Sequence, residues 1–315
     1  MRRRHRTRRA GAPHPSVTAR DMTAGDMADL KDRAVGFIGL GLMGRPMARN
    51  LAKAGAALVI SSRSPGPVEE LAGEGMSPAA GPAEVAARAD AIVLMLSDTV
   101  AVEAVAAALM DALRPGHLVI DMGTTAVGAT RKLAEAVRAK GADWVDAPVS
   151  GGTVAAEAGT LTIMAGGTEE AFARALPLFQ AMGQRITHVG DSGAGQVAKM
   201  ANQVIVALSI GAVAEALALA KAAGVEPGKV RDAIRGGFAE SRILELHGQR
   251  MVSGDFTPGG RVLTQIKDLK QAEELAEQSG IQLPALGLSL ELFELLAEQG
   301  DGGLDHSALY RLFVK

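Results

Sequence analysis

The sequence predicts an α/β fold: a Rossmann-type, doubly wound parallel sheet followed by an all-α C-terminal domain. Three observations predict it. Short apolar runs alternate with helical patterns from Arg33 to about His188, and a G-x-G-x-x-G motif (Gly39, Gly41, Gly44) follows the first of those runs. From Gly195 onward almost every segment has helical periodicity. A chain of 315 residues is long enough for two domains that each bury a core. The expected division is a basic, disordered tail over 1–31, a Rossmann domain over 32–192 and a helical domain over 193–315.

The elements follow in order. AVGFIGL (34–40) reads as a strand and 43–54 as a helix; ALVIS (57–61) is a strand and 66–73 a helix. AIVLML (91–96) is a buried strand, and an Ala/Val-rich helix runs over 100–113. HLVIDM (117–122), a helix near 126–140 and DWVDA (143–147) continue the pattern, and segments 160–165, 169–182 and 185–189 complete the sheet. The helical half is expected at 195–223, about 227–236, 240–252, 266–279, 284–298 and 306–313. Pro227, Pro258 and Pro284 stand at helix starts or turns, and Asp305 as an N-cap. Helix 195–223 is long enough to join the two domains.

Composition narrows the chemistry. There is no cysteine, which removes disulfides, thiolate catalysis and cysteine-held zinc. The histidines (5, 14, 117, 188, 247, 306) show no i,i+4 pair or HExxH pattern, so no protein-held metal is expected. A net charge of −2 gives no electrostatic case for nucleic acid. Residues 1–20 hold seven arginines and no acid, but no apolar stretch follows, so the leader reads as a disordered extension or an upstream start, with Met22 and Met27 as alternative starts and an organelle transit peptide as the other reading. The most apolar window, 200–214, contains Asn202, Gln203 and Ser209; it is expected to be too short and polar to span a bilayer, which needs about 20 apolar residues. A cytoplasmic protein is the expectation.

The glycine motif carries the cofactor expectation. Strand, tight turn and helix mouth let the backbone touch a pyrophosphate at a helix N-terminus. An NAD site usually adds an acid about 20 residues later, to accept from the ribose 2′-hydroxyl. Here the second strand ends in Ser61-Ser62-Arg63-Ser64, with no acid before Glu69. Hydroxyls and a guanidinium suit a 2′-phosphate, so Ser62, Arg63 and Ser64 favour NADP(H), with NAD(H) also accommodated. Arg63 as a plain solvated loop residue is the alternative.

Two further stretches carry chemistry. Ser150-Gly151-Gly152 can turn several backbone N–H groups toward one small carboxylate or oxyanion, though such a turn also occurs for structure alone. In GAGQVAKMANQ (193–203), Lys199, Asn202 and Gln203 share a helix face, which would give the lysine two amide hydrogen-bond partners. Burial lowers a lysine pKa toward general acid–base work, while an exposed, snorkelling lysine is the ordinary case. Lys267-Asp268 lies on a later helix and reads equally as a cleft pair or a surface pair.

Taken together, the glycine-rich start, DAPVSGG…GTL, G-x-x-x-K-x-x-N and a late KDL resemble the β-hydroxyacid dehydrogenase family, from Val35 to the C-terminus. Stretches such as KMANQVIVALSIGAVAEAL, AIRGGFAES and DHSAL resemble its tartronate semialdehyde (2-hydroxy-3-oxopropionate) reductase branch. The resemblance implies Lys199 as proton donor, Ser150, Gly151 and Gly152 as carboxylate cradle, and Asn202 or Gln203 as substrate-orienting amide. It implies cofactor contacts at Gly39, Leu40, Gly41, Leu42, Met43, Gly44, Met95, Leu96, Thr124 and Lys267, with Asp268 supporting the lysine. It implies reduction of a small semialdehyde carboxylate by a homodimer or homotetramer whose helical domain supplies the interface. Related substrates are 3-hydroxyisobutyrate, succinic semialdehyde and glyoxylate; a cofactor-binding sensor without turnover is the non-enzymatic alternative. Two departures stand out: Gly123-Thr124-Thr125 replaces a serine-rich stretch, and Gly260 replaces an aromatic residue that the family often sets over the substrate.

Overall fold

The computed structural model describes residues 30, 31 and 33–314. The N-terminal half begins β1 (Ala34–Ile38), α1 (Gly44–Lys53), β2 (Ala57–Ser61), α2 (Pro65–Gly73), β3 (Ser77–Pro78), α3 (Pro82–Arg88), β4 (Ala91–Leu94) and α4 (Thr99–Leu109). It continues with β5 (Leu118–Asp121), α5 (Val127–Arg138), β6 (Asp143–Asp146), β7 (Val149–Ser150), α6 (Gly152–Ala158), β8 (Leu161–Gly166), α7 (Glu169–Met182) and β9 (Gly183–Gly190). The remainder holds α8 (Ala194–Ala222), α9 (Pro227–Ile234), α10 (Arg242–Ser253), α11 (Val262–Gln278) and α12 (Pro284–Leu296). A π-helical turn (Ala297–Asp301) and a 3-10 helix (His306–Leu312) close the described chain.

Strands β3-β2-β1-β4-β5-β6 pair in parallel, in that order. Both faces of this sheet are buried, so alternate residues feed different cores. Val35, Phe37, Val93 and Ile120 pack on one side with Met47, Leu51 and Phe179. Ile38, Ile92, Leu94 and Val119 pack on the other with Val85, Val102 and Leu109. The chain order reverses between β1 and β4, which opens a crevice beyond their C-terminal ends.

The sheet is not parallel throughout. β8 runs antiparallel to both β6 and β7, and β9 pairs in parallel with β8. A parallel return needs a crossover of a dozen or more residues, and the seven-residue α6 is too short to supply one. Four short elements (β3, α3, β7 and α6) also go beyond the sequence expectation. They span two to seven residues, too few for a periodic signal, although Pro82 and Glu84 mark the start of α3. The final segment is a 3-10 helix, with Asp305 accepting from the Ser307 N–H as its cap. The arginine-rich leader lies outside the described residues, except that Leu30, assigned to the tail, is fully buried in the first core.

Helix α8 is the spine of the second half. Ala207, Ile210, Ala214 and Leu217 pack against Leu269, Phe293 and Leu309. At 29 residues α8 has the length and hydropathy of a bilayer-crossing helix, contrary to the expectation for its apolar window. Half of its most apolar stretch is buried by the neighbouring helices, and its first turns carry Gln196, Lys199 and Gln203.

One buried carboxylate fastens α8 to the sheet. Asp146, the last residue of β6, accepts from Gly193 N–H (Oδ1, 2.7 Å) and Gln196 N–H (Oδ2, 2.9 Å) at the first turn of α8. Gly193 has φ +90°, and a Cβ on Gly195 would lie 2.4 Å from the Met164 carbonyl oxygen, so both positions need glycine. Gln196 carries the link further: its Oε1 accepts from Thr125 N–H (3.1 Å) and its Nε2 donates to the Gly123 carbonyl (2.9 Å). Asp121, at the end of β5, holds the same turn by accepting from Gly123 N–H (3.0 Å) and Thr125 Oγ1 (2.6 Å). Burial pushes Asp146 up to about 6 and Asp121 up to about 7.

A carboxyl group whose folded pKa exceeds its unfolded value binds more protons when folded, so its stabilisation is full at low pH and lost as pH rises. For Asp121 that window runs from 3.8 to about 7. Asp121→Asn is expected to flatten the fall in stability between pH 4.5 and 7.5, measured by urea unfolding. Parallel pH profiles for the two proteins would show that Asp121 does not titrate there.

Candidate active site

The three glycines of the first turn have different structural reasons. Gly39 has φ +102°, and a Cβ there would lie 2.3 Å from the Met95 carbonyl oxygen. A Cβ on Gly44 would lie 1.9 Å from the Gly39 carbonyl oxygen, so this position brings α1 close to its own turn. Gly41 differs: no heavy atom lies within 4 Å of the place its Cβ would occupy. Its backbone therefore faces open space at the mouth of α1, where a pyrophosphate can approach. Leu40 is buried beneath the turn, Met43 is half-buried and Leu42 is exposed.

The neighbouring strand ends complete this crevice. Met95 donates its N–H to the Ile38 carbonyl (2.9 Å), which joins the turn after β4 to the one after β1. Leu96 reaches the same turn: its Cδ2 would be 2.9 Å from a Gly39 Cβ. Ser62 Oγ accepts a long hydrogen bond from Leu40 N–H (3.4 Å). Arg63 and Ser64 are exposed at the tip of β2, and Arg63 has no hydrogen-bond or ion-pair partner among the described residues.

The cradle sequence is built as a sharp reversal. Gly151 (φ +129°) and Gly152 (φ +65°) lie in the left-handed region, and a Cβ on Gly151 would meet that of Ala155 at 2.5 Å. Ser150 stays half-buried between Val149 and this turn. The Lys199 side chain comes from α8, is 8% exposed, and donates to the Val149 carbonyl at 2.8 Å. The amine thus sits beside the residue that precedes Ser150. Burial pushes the Lys199 ammonium below the usual lysine range; Asp268 opposes that and Lys267 adds to it.

The amides are arranged differently from the sequence expectation. Asn202 Nδ2 donates to Gln203 Oε1 (2.8 Å), and Gln203 Nε2 donates to Asp268 Oδ2 (2.6 Å). Neither holds the lysine, whose partner is a strand carbonyl 50 residues earlier in sequence. Gln203, one helical turn beyond Lys199, is drawn instead to the buried carboxylate on α11. That carboxylate lies 3.1 Å from Lys267 Nζ. Lys267 in turn donates to the Ser97 (3.1 Å) and Thr124 (3.2 Å) carbonyls, so a helical-domain cation spans the crevice to the turns after β4 and β5. The lysine–aspartate pair is a cleft pair.

Sequence reasoning missed the scaffold residues Asp121, Asp146 and Gln196. A strand ending in aspartate, followed far downstream by G-x-G at a helix start, was the only trace of the Asp146 contact. The chemistry assembled is coherent: a glycine turn with open space at its mouth, a glycine reversal, and a buried amine beside that reversal.

Comparison with known proteins agrees with this geometry. Residues 34–190 match the NAD binding domain of 6-phosphogluconate dehydrogenase, and residues 193–313 match the NAD-binding domain of NADP-dependent 3-hydroxyisobutyrate dehydrogenase. The chain is 44% identical over 278 residues to 2-hydroxy-3-oxopropionate reductase of Escherichia coli K12, covering 87% of this chain and 95% of the relative. It is 38% identical over 291 residues to the NAD-dependent L-serine dehydrogenase of Pseudomonas aeruginosa, covering 89% and 98%. The solved structure of Mycobacterium tuberculosis 3-hydroxyisobutyrate dehydrogenase with L-serine superposes with a TM-score of 0.83 at 30% identity, covering 89% of this chain and 98% of that one. The crevice, the buried lysine and these matches agree: the chain belongs to the β-hydroxyacid dehydrogenase family of NAD(P)-dependent oxidoreductases acting on CH–OH groups.

Proposed function

We propose that the protein reduces a small semialdehyde carboxylate with NADPH, tartronate semialdehyde to glycerate foremost. The single observation that carries this reading is the buried Lys199 amine, 2.8 Å from the Val149 carbonyl and adjacent to the Ser150–Gly152 reversal. Ser150 Oγ and the Gly151 and Gly152 N–H groups hold the substrate carboxylate. Asn202, tethered through Gln203 to Asp268, orients the carbonyl. The glycine turn and the turns after β4 and β5 would hold the dinucleotide, whose chemistry when bound would be hydride donation at the aldehyde carbon. Lys199 delivers a proton to the oxygen as negative charge grows there, so aldehyde, hydride and proton give the primary alcohol. Its lowered pKa makes that transfer easier near neutral pH.

The preference for NADP(H) rests on Arg63, exposed at the tip of β2 with no partner among the described residues, and on the lack of an acid between the strand tip and Glu69. NAD(H) is accommodated as the weaker cofactor. The glycine loop would hold the pyrophosphate, with Met95, Leu96, Thr124 and Lys267 around the nicotinamide half. Cytoplasmic, homo-oligomeric function belongs to the same reading. Val197, Ile205 and Leu219 form an exposed apolar row along α8, which supports a second copy packing on the helical domain.

Three measurements test this. Lys199→Ala should lower the rate of NADPH oxidation with tartronate semialdehyde by about 10²–10⁴-fold while NADPH still binds. A retained rate would remove Lys199 as the donor; faster reduction of succinic semialdehyde or glyoxylate by NADPH, or faster oxidation of 3-hydroxyisobutyrate by NADP+ than of glycerate, would replace the substrate. Arg63→Ala should raise KM for NADPH about tenfold and leave that for NADH nearly unchanged. Equal effects on both cofactors would mean that Arg63 does not read the 2′-phosphate. Gly41→Ala meets no protein atom, so its urea midpoint should match the parent while NADPH affinity, followed by fluorescence titration, falls. Unchanged affinity would place the pyrophosphate elsewhere.

A further inference from the structure

A second polar cluster lies behind the substrate side of the cleft, in the helical domain. Asp305 is fully buried and saturated with donors. Its Oδ2 accepts from the N–H groups of Gly259 (3.0 Å) and Gly260 (3.1 Å), and its Oδ1 from Ser307 N–H (3.1 Å) and Oγ (2.6 Å). Arg250 lies 3.5 Å from Oδ2 and also donates to the Thr257 carbonyl. From Asp305 a chain of side chains runs outward. His247 Nδ1 is 3.4 Å from Asp305 Oδ1, His247 Nε2 is 3.3 Å from His306 Nε2, and His306 Nδ1 is 3.2 Å from Gln265 Oε1. The two imidazoles meet edge to face, with centroids 4.6 Å apart.

The front of the same loop faces the reversal described above. The Gly259 carbonyl is the heavy atom nearest to a Cβ built on Gly152, at 3.8 Å. Residues 259–260 therefore have the cluster behind them and the Ser150–Gly152 turn in front. Glycine at 260 is part of this fit, because a Cβ there would lie 3.3 Å from His306 Cε1.

The three residues His247, Asp305 and His306 also have the make-up of a metal site, with potential ligand atoms within 4.8 Å of one another. The directions of the contacts oppose that use. His247 Nδ1 faces Asp305 Oδ1 at ion-pair distance without an aligned hydrogen bond, and its Nε2 faces His306 from the other side of the ring, so one ion cannot take both contacts. Both Asp305 oxygens already accept from backbone donors. A linear run of contacts, an ion-pair contact from Asp305 to His247 and then hydrogen-bond distances to His306 and Gln265, fits these geometries better than a chelate.

We propose that Asp305–His247–His306–Gln265 is a positioning device for the substrate. Through two backbone N–H groups it fixes the Gly259–Gly260 loop against Gly152, and so sets affinity for the carboxylate end of the substrate without entering the proton or hydride transfer. The proposal rests on the reading of Ser150–Gly152 as the carboxylate cradle. A loop that drifts by even a fraction of an ångström loses contact with the bound substrate, which loosens the ground state and transition state together.

The test is steady-state kinetics of the full chain with NADPH and the best substrate of the panel above. His247→Ala should raise substrate KM roughly tenfold, with kcat within about twofold and KM for NADPH unchanged. His247→Gln, which keeps one donor, should recover most of that loss. A His247→Ala protein with lower melting temperature but unchanged substrate KM would overturn the proposal, as would a loss confined to kcat. Zinc that raises the melting temperature of the parent but not of His247→Ala would also overturn it, in favour of a metal site. Ser150→Ala separates the two readings. If it raises substrate KM while His247→Ala does not, the cradle stands and the device fails; if neither variant moves KM, the cradle reading fails as well.

Discussion

Asp146 ends the β6 strand with both carboxylate oxygens turned into the first turn of α8, and the rest of the site takes its coordinates from that contact. A buried carboxylate without partners would cost several kcal/mol. Here it meets two backbone N–H groups at the positive end of a 29-residue helix, where charge-assisted hydrogen bonds and the helix dipole act together. The compensation is incomplete, since burial still raises its pKa to about 6. The contact requires close backbone approach, which Gly193 and Gly195 allow. Once the first turn is pinned, helical geometry alone carries Lys199 to the end of β7.

Lysine in that position is held by a strand carbonyl rather than by an anion. The Val149 carbonyl fixes the amine without supplying the charge that would stabilise its protonated form, and burial does the opposite. Asp268 is near enough to moderate the effect, but its oxygens face Gln203 and Lys267. Lys267 thus pairs directly with this buried carboxylate, whereas Lys199 feels only its charge. Lys267 uses its remaining donors on the Ser97 and Thr124 carbonyls, so the same residue pair that tunes the amine also ties the helical half to the turns after β4 and β5.

Much of this was legible before folding. The strand–helix alternation and the three glycines each depend on local geometry, and the glycine spacing correctly separates one open position (Gly41) from two packed ones. The antiparallel β8 was not legible, because apolar alternation reports burial and carries no direction. The amides of Asn202 and Gln203 were legible as neighbours of Lys199 on one helix face, but not as partners of Asp268, which is 65 residues away from Gln203 in sequence. Isolated histidines gave no spacing signal, yet His247 and His306 meet across 59 residues.

What the sequence determined by itself is therefore everything written within one element or one turn: the order of strands and helices, the glycine turn after β1, and a lysine placed one turn into a long apolar helix. Periodicity and backbone sterics act over a few residues, so they survive in a linear reading. Only the tertiary structure decided which groups each polar side chain meets: Val149 for Lys199, the α8 amides for Asp146, and the Gly259–Gly260 loop for Asp305. Those choices come from burial, where a polar atom removed from water must take whichever partner the packing of distant segments brings within reach.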